Sequence, residues 1–316
     1  MEGIYNGIEK ANYIKQQQLR ISKAIKVIQT LIEGTDVESL TIGTDAITAK
    51  LKRPMVELNV NIEDSRSCAI ETISFKRYES RDSGVIYAVM DYLENKDADA
   101  IFLDIGANEG IYTLAALKRE KPLHVHSFEP VPATCELLKD NLKLNGVMAD
   151  NVACLAITNQ IGSKEFVYAP ELSGSSSFVD LLELDSSKKI LVKTDTLDKY
   201  CEIQSIEPDF IKIDVEGSEH LVIEGYKATL KKTKKKPLLY IEILRKWSNR
   251  FGYKANDIFK TIIEIGYEGY TCCRMSGLID CEEITEDTEA TNFLFVPNCF
   301  VEIENLKKRI KWYQCN

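Results

Sequence analysis

The order of apolar and polar positions divides the chain into segments of two different periods. Over residues 1 to about 33, Ile21, Ile25, Ile28 and Ile32 recur at steps of 4, 3 and 4, with Ala24, Val27 and Leu31 beside them. That spacing predicts a helix with a wide apolar face. Gln16 to Gln18 interrupt the face toward Ile4 and Ile8, so a long coiled coil is not supported. The face is expected to dock on the chain's own core, with a homodimer contact through this N-terminal region as the alternative. Between Glu33 and Lys76 the runs AITAKLK and VELNVNI, punctuated by Gly34, Gly43 and Pro54, predict a small accessory sheet. Ser83 then opens a helix through Val85, Ile86, Val89, Met90 and Tyr92. The expected organisation is an accessory region over residues 1–80 and a main α/β domain over 81–316.

From Ile101 onward, buried strands alternate with helices. IFLDI is an apolar strand, followed by a turn containing Gly106, Asn108 and Gly110 and a helix through Leu114, Ala115 and Leu117. LHVHSFEP predicts a second strand, NVACLAI a third, DFIKIDV a fourth and LLYIEIL a fifth. Pro132 starts the helix after the second strand and Asn145-Gly146 ends it. The polar, serine-rich stretch from Thr158 to Lys193 is too long for a simple connection, and a hairpin or flap is expected there. One helix is expected from Ser218 to Leu230 and another near Asn256 to Ile265. GYTCCR and NFLFVP then predict a terminal hairpin, and a short basic helix around Asn305 to Tyr313 follows. This order predicts a doubly wound, Rossmann-like parallel sheet whose last strand runs antiparallel. That order resembles the outline of a class I methyltransferase.

The 316 residues carry a formal net charge of -9, which disfavours a polyanion, so no nucleic-acid partner is expected. The N-terminal stretch lacks the apolar run of a secretory signal, and the longest apolar stretches are too short to span a bilayer. A cytoplasmic protein that is not integral to a membrane is therefore expected. The nine cysteines include no C-x-x-C pair, and reduced thiols are expected.

The candidate chemistry lies at the ends of the strands. A dinucleotide fingerprint would read G-x-G-x-x-G, whereas residues 106–110 read G-x-N-x-G, favouring a ligand without a pyrophosphate such as S-adenosylmethionine. Glu129 ends the second strand, 25 positions beyond Asp104, where an acidic residue accepts hydrogen bonds from ribose hydroxyls. The cofactor side is thus assigned to Asp104, Gly106, Asn108, Gly110, Tyr112, Thr113, Glu129 and Pro130. In the fourth strand, alternation places Lys212 and Asp214 on one face, and a lysine inside a covered strand needs a carboxylate partner. Asp214, Glu216 and Glu242 lie at strand ends and are the catalytic candidates for receiving a hydroxyl proton. They also offer hard oxygen ligands for Mg²⁺ or Mn²⁺, but their spacing matches no recognised metal motif. His124 and His126 are expected to be structural. Ser175 to Ser177 offer hydroxyl donors in a flexible loop, and the run KKTKKK suits a solvated helix end.

In DIGANEGIYT, FEPVP, TDTLDKY, IKIDVEGSE and YIEI, taken in order, the chain from about Phe102 to Ile243 resembles the FkbM family of S-adenosylmethionine-dependent methyltransferases. The resemblance implies methyl transfer to a hydroxyl, often on a sugar of a glycan, a glycolipid or a polyketide-type product. Members often carry His just after the fifth-strand Glu, whereas Ile243 and Leu244 follow Glu242 here. The first 80 or so residues lie outside the match. A base N-methyltransferase would carry Asn/Asp-Pro-Pro-aromatic where DVEG stands, and a nicotinamide oxidoreductase would carry the other glycine pattern. A binding module that keeps the fold without catalysis is the non-enzyme alternative.

Overall fold

In the computed structural model, the described residues are 7–79, 82–96, 99–273 and 277–315, with the side chains of 7–11 left aside. The expected helix over residues 1–6, the boundary at residues 80 and 81, and Arg274 of the GYTCCR run lie outside them. The chain opens with α1 (Gly7–Ile32), then β1 (Val37–Ile42), β2 (Ile47–Leu51) and β3 (Glu57–Asn59), which pair antiparallel as the accessory sheet. The first expectation to fail is the docking of α1. Ile32 packs against the main core, but Ile14, Ile21, Ile25 and Leu31 are exposed. The adjoining face of the core is already covered by the accessory sheet and by α2 (Cys68–Phe75), so only the end of α1 reaches it.

The helix α3 (Asp82–Lys96) leads to β4 (Ile101–Ile105), α4 (Ile111–Leu117), β5 (His124–Phe128) and α5 (Pro132–Leu144). The anticipated third strand breaks into β6 (Val152–Ala153), which pairs with β5, and β7 (Ala156–Ile157), which leaves that sheet. β7 joins β8 (Gly162–Tyr168) and β9 (Lys188–Asp195), so the segment from Thr158 to Lys193 is a hairpin, as expected. α6 (Leu197–Gln204), capped by the Thr196 side chain, precedes β10 (Phe210–Ile213).

The single helix expected over 218–230 is two, α7 (Glu219–Glu224) and α8 (Lys227–Lys232). They separate at Gly225, where a Cβ would overlap the Thr158 carbonyl of the crossing chain. After β11 (Leu238–Glu242), α9 (Arg245–Ser248) and α10 (Ala255–Glu264), the terminal hairpin proves to be three strands: β12 (Tyr267–Cys273), β13 (Gly277–Cys281) and β14 (Asn292–Pro297). α11 (Ile303–Cys315) closes the chain against α3.

The large sheet has the order β13-β12-β14-β11-β10-β4-β5-β6. β6, β5, β4, β10 and β11 run parallel, and β14 inserts antiparallel between β11 and β12. Chain order reverses between β4 and β10, so the crevice at their carboxyl ends is the ligand position of an open α/β sheet. Phe102, Phe210, Leu103, Ile211 and Leu239 are fully buried in its strands, as a sheet covered on both faces requires.

A second correction concerns the thiols. Cys135, at the start of α5, is disulfide-bonded to Cys154, just beyond β6, with Cα atoms 5.7 Å apart. Spacing in sequence gave no hint of this, because the two meet only when β6 pairs beside β5.

The three-stranded sheet of β1, β2 and β3 is tied to the turn after β4 through Asn141 on α5. Its Oδ1 accepts from the Asn59 amide at 2.8 Å, and its Nδ2 donates to the Glu109 carbonyl at 2.9 Å. Asn141 is fully buried, so both backbone groups depend on it. Asn141→Ala is expected to lower unfolding free energy by about 2–4 kcal/mol, since it leaves two buried backbone groups unpaired. Urea denaturation measures this, and a loss below about 0.5 kcal/mol would show that the bridge carries no load.

Candidate active site

The turn after β4 is built around left-handed backbone. Gly106, Asn108 and Gly110 have φ of 79°, 49° and 87°, which glycine adopts freely and asparagine tolerates. The two glycines make room for protein. A Cβ on Gly106 would overlap the Asp214 carbonyl oxygen, and one on Gly110 would overlap Leu138. The turn is therefore pressed onto the end of β10 on one side and onto α5 on the other.

Lys212 stands beneath this junction with its side chain 6% exposed. Its ammonium donates to the Gly106 carbonyl at 3.0 Å and pairs with Asp214 at 3.2 Å and Asp104 at 3.5 Å. It also lies 5.5 Å from the centre of the Tyr112 ring. Burial alone would lower its pKa, but Asp214 and Asp104 outweigh that and hold it above the usual lysine range. The carboxylate partner required by the strand pattern is thus two carboxylates.

A cleft of about 930 Å³, counted to its open mouth, lies over these strand ends. Gly106, Asn108, Tyr112, Glu129 and Pro130 line it on one side, and Asp214, Glu216 and Glu242 on the other. Asp104, Gly110 and Thr113 stand behind that lining. Asp104 is fully buried and accepts from the Thr113 hydroxyl at 2.7 Å, which positions Lys212 from below. Glu129 is held by the Asn108 amide at 3.1 Å and the Val131 amide at 2.9 Å, one on each oxygen. Burial raises its pKa to about 7 against the pull of those two amides. A carboxylate has about four acceptor positions, so lone pairs remain for a ligand hydroxyl. His126 hydrogen-bonds the Tyr200 hydroxyl at 2.9 Å away from the cleft, in keeping with a structural role.

Beyond β10 the chain turns through Glu216 and Gly217, with φ of 48° and 97°. A glutamate in that region is strained, and the turn is held at several points. Ser177 donates to the Glu216 carbonyl at 2.6 Å, and Tyr253 donates to the Gly217 carbonyl at 2.9 Å. The Gly217 amide donates to Glu219 at 2.8 Å. Of the serine-rich stretch, Ser173, Gly174, Ser176 and Phe178 reach the cleft, whereas Ser177 is buried as a turn support.

Among the charged lining residues, sequence reasoning missed Glu79 and Arg66. Glu79 lies between α2 and α3, has a positive φ of 38° and accepts a short hydrogen bond from the Tyr112 hydroxyl. No spacing in the chain marks it, because α3 and the strand ends come together only on folding. Arg66 pairs with Glu71 at 2.7 Å at the cleft edge.

The carboxyls crowd one another. Burial, then the charge of Asp214, raises Glu79 to about 8, and the same two causes raise Glu216 to about 8. Glu242 is driven well above the ordinary range by burial, by Asp214 and by Glu216. Carboxylate oxygens of Asp214, Glu216 and Glu242 all lie within 4.8 Å of one another. Such a set of hard oxygens serves either proton exchange with a hydroxyl or a divalent cation.

The fold and this cleft define the class first: an α/β protein with the strand order of the class I methyltransferases. The FkbM methyltransferase domain matches residues 104–268, just over half of the chain. The chain belongs to the FkbM methyltransferase family. It aligns at 25% identity with the methyltransferase sdnD of Sordaria araneosa, covering 42% of this chain and 62% of that protein. Among solved structures, an S-adenosylmethionine-dependent methyltransferase from Agrobacterium tumefaciens aligns at 13% identity and a TM-score of 0.40, covering 82% of this chain and 71% of that one. An O-methyltransferase from Bacillus cereus, solved with S-adenosylhomocysteine, aligns at 12% identity and 0.36, covering 67% and 78%.

A carboxyl with a raised folded-state pKa keeps a proton that the unfolded chain has already lost. Between the ordinary value of 4.5 and about 8, the folded state therefore binds more protons. The stability these groups contribute is fully present below 4.5 and is lost as pH rises through about 8. The melting temperature should fall across that window, and Glu79→Gln should flatten the fall. Scanning calorimetry against pH tests this, and a wild-type melting temperature that rises over the window would refute it.

Proposed function

We propose that this protein transfers the methyl group of S-adenosylmethionine to a hydroxyl, most fittingly of a sugar in a glycan, glycolipid or related natural product. The observation that carries this is the meeting, in one cleft, of the Asn108–Glu129 pair with the carboxylates Asp214, Glu216 and Glu242. The cofactor, when bound, supplies an electrophilic sulfonium methyl that needs alignment more than activation. Gly106, Asn108, Tyr112, Glu129 and Pro130 would hold it, with Glu129 receiving the ribose hydroxyls at the end of β5.

The other wall handles the acceptor. Asp214, anchored by Lys212 through one oxygen, is the proton acceptor of choice, with Glu216 beside it and Glu242 in reserve. Because Glu216 is raised to about 8, it enters the neutral range partly protonated and can donate a hydrogen bond to a neighbouring hydroxyl. A wall that both donates and accepts suits a neutral polyol. The same three carboxylates are the donor set that Mg²⁺ or Mn²⁺ would use, and a chelator added to the assay separates metal-assisted transfer from proton removal by a carboxylate alone.

Labelled S-adenosylmethionine incubated with a panel of oligosaccharides and hydroxylated small molecules tests the activity. Cofactor binding without transfer across the panel would favour the non-catalytic binding module. Glu129→Ala should weaken cofactor binding by about 1–3 kcal/mol through lost hydrogen bonds to a charged acceptor. Calorimetry on the folded variant reads this, and unchanged affinity would remove Glu129 from the site.

Asp214→Asn keeps the shape and removes the charge. We expect kcat to fall by roughly 10² or more with cofactor affinity near wild type. Near-normal kcat would move the role to Glu216 or Glu242, and an unfolded product would mark Asp214 as a support for Lys212.

A further inference from the structure

Where the core absorbs most of the chain's aliphatic side chains, α1 displays its own. Ile14, Ile21, Ile25 and Leu31 are exposed to 49%, 58%, 49% and 54%. At about 100° per residue these four, together with half-buried Ile28, fall within one arc of about 120°. Lys15, Arg20, Lys23 and Lys26 lie outside that arc, are exposed, and have no ion-pair partner among the described residues. α1 carries five cations against the single carboxylate of Glu9, a net charge of +4. The whole chain carries -9, so everything outside α1 carries -13.

We propose that α1 is a membrane-surface anchor that lies in the plane of an anionic lipid bilayer, with its isoleucine face in the acyl boundary and its cations among the headgroups. No helix among the described residues is long and apolar enough to cross a membrane, so insertion is confined to the interface. Charge complementarity selects this occupant. Pairing with α1 of a second copy would bring two helices of +4 together, whereas an anionic surface meets them with opposite charge. The -13 remainder is repelled by the same surface, which limits contact to this one helix and keeps the acidic cleft off the bilayer. The other lysine cluster offers no such surface, since Lys235 pairs with Asp209 at 2.8 Å and Lys236 donates to the Ile265 carbonyl.

The test is flotation of the full-length protein with phosphatidylcholine vesicles, with and without phosphatidylglycerol. Partition onto the anionic vesicles should exceed that onto neutral ones by about 10-fold or more. It should be lost in Ile21→Glu/Ile25→Glu and in Lys15→Glu/Lys23→Glu/Lys26→Glu, with melting temperatures held near wild type because these side chains are exposed. It should also weaken in about 1 M salt, where the Debye length shrinks to about 3 Å. Failure to float with anionic vesicles, or equal binding to neutral ones, overturns the proposal. So does light scattering that shows a dimer dissociated by Ile21→Glu/Ile25→Glu in a protein that binds no vesicle.

Discussion

One buried ammonium holds the cleft together. Lys212 lies in the centre of the sheet, where an unpaired charge could not remain, and it is kept there by Asp104 beneath, Asp214 above and the Gly106 carbonyl beside it. Those three partners come from the two strands whose connections part in opposite directions. Lys212 thereby locks the glycine turn after β4 to the end of β10, the two walls of the cleft. Gly106 allows the contact, because a side chain there would collide with the Asp214 backbone. A buried pair of this kind is weak evidence for stability as such, but removing one partner leaves an uncompensated charge, so its geometry is strictly enforced.

Above that lock the cleft gathers acid. Glu79, Glu129, Asp214, Glu216 and Glu242 all line it, with Lys212 and Arg66 as the lining cations among the described residues. Grouping five carboxyls in a partly dry site is costly unless some keep their protons, which is the state that burial and mutual repulsion favour. The strained backbone at Glu216 is a further cost, offset by supports from Ser177 of the flap and Tyr253 beyond α9. Strain and like-charge crowding in one place are more readily explained by chemistry than by folding.

The accessory region takes part in this arrangement. Cys68 and Ser67, at the start of α2, hydrogen-bond the buried carboxylate of Glu109 inside the glycine turn. Leu51, Leu58 and Cys68 share one apolar cluster with Phe102 of β4 and Leu114 of α4. The segment that follows α2 then supplies Glu79 to the cleft. α1 is the exception, joined to the body at its last turn and otherwise facing outward.

How much of this was legible in the chain follows from the range of the forces involved. Period-2 and helical patterning mark β4, β5, β10 and β11 and the order in which they alternate with helices, because burial on both faces leaves its record residue by residue. The same alternation placed Lys212 and Asp214 on one face and required a carboxylate partner. Strand-end position picked out Glu129, Asp214, Glu216 and Glu242, all of which line the cleft. What remained hidden depended on contacts between distant segments. Glu79 and Arg66 reach the cleft only because the accessory region packs against the sheet. Cys154 meets Cys135 only when β6 pairs beside β5, and the helix after β10 separates at Gly225, where the chain at Thr158 crosses it. The exposure of α1 was equally hidden, since an amphipathic pattern states that a face is apolar and leaves what covers it to the tertiary structure.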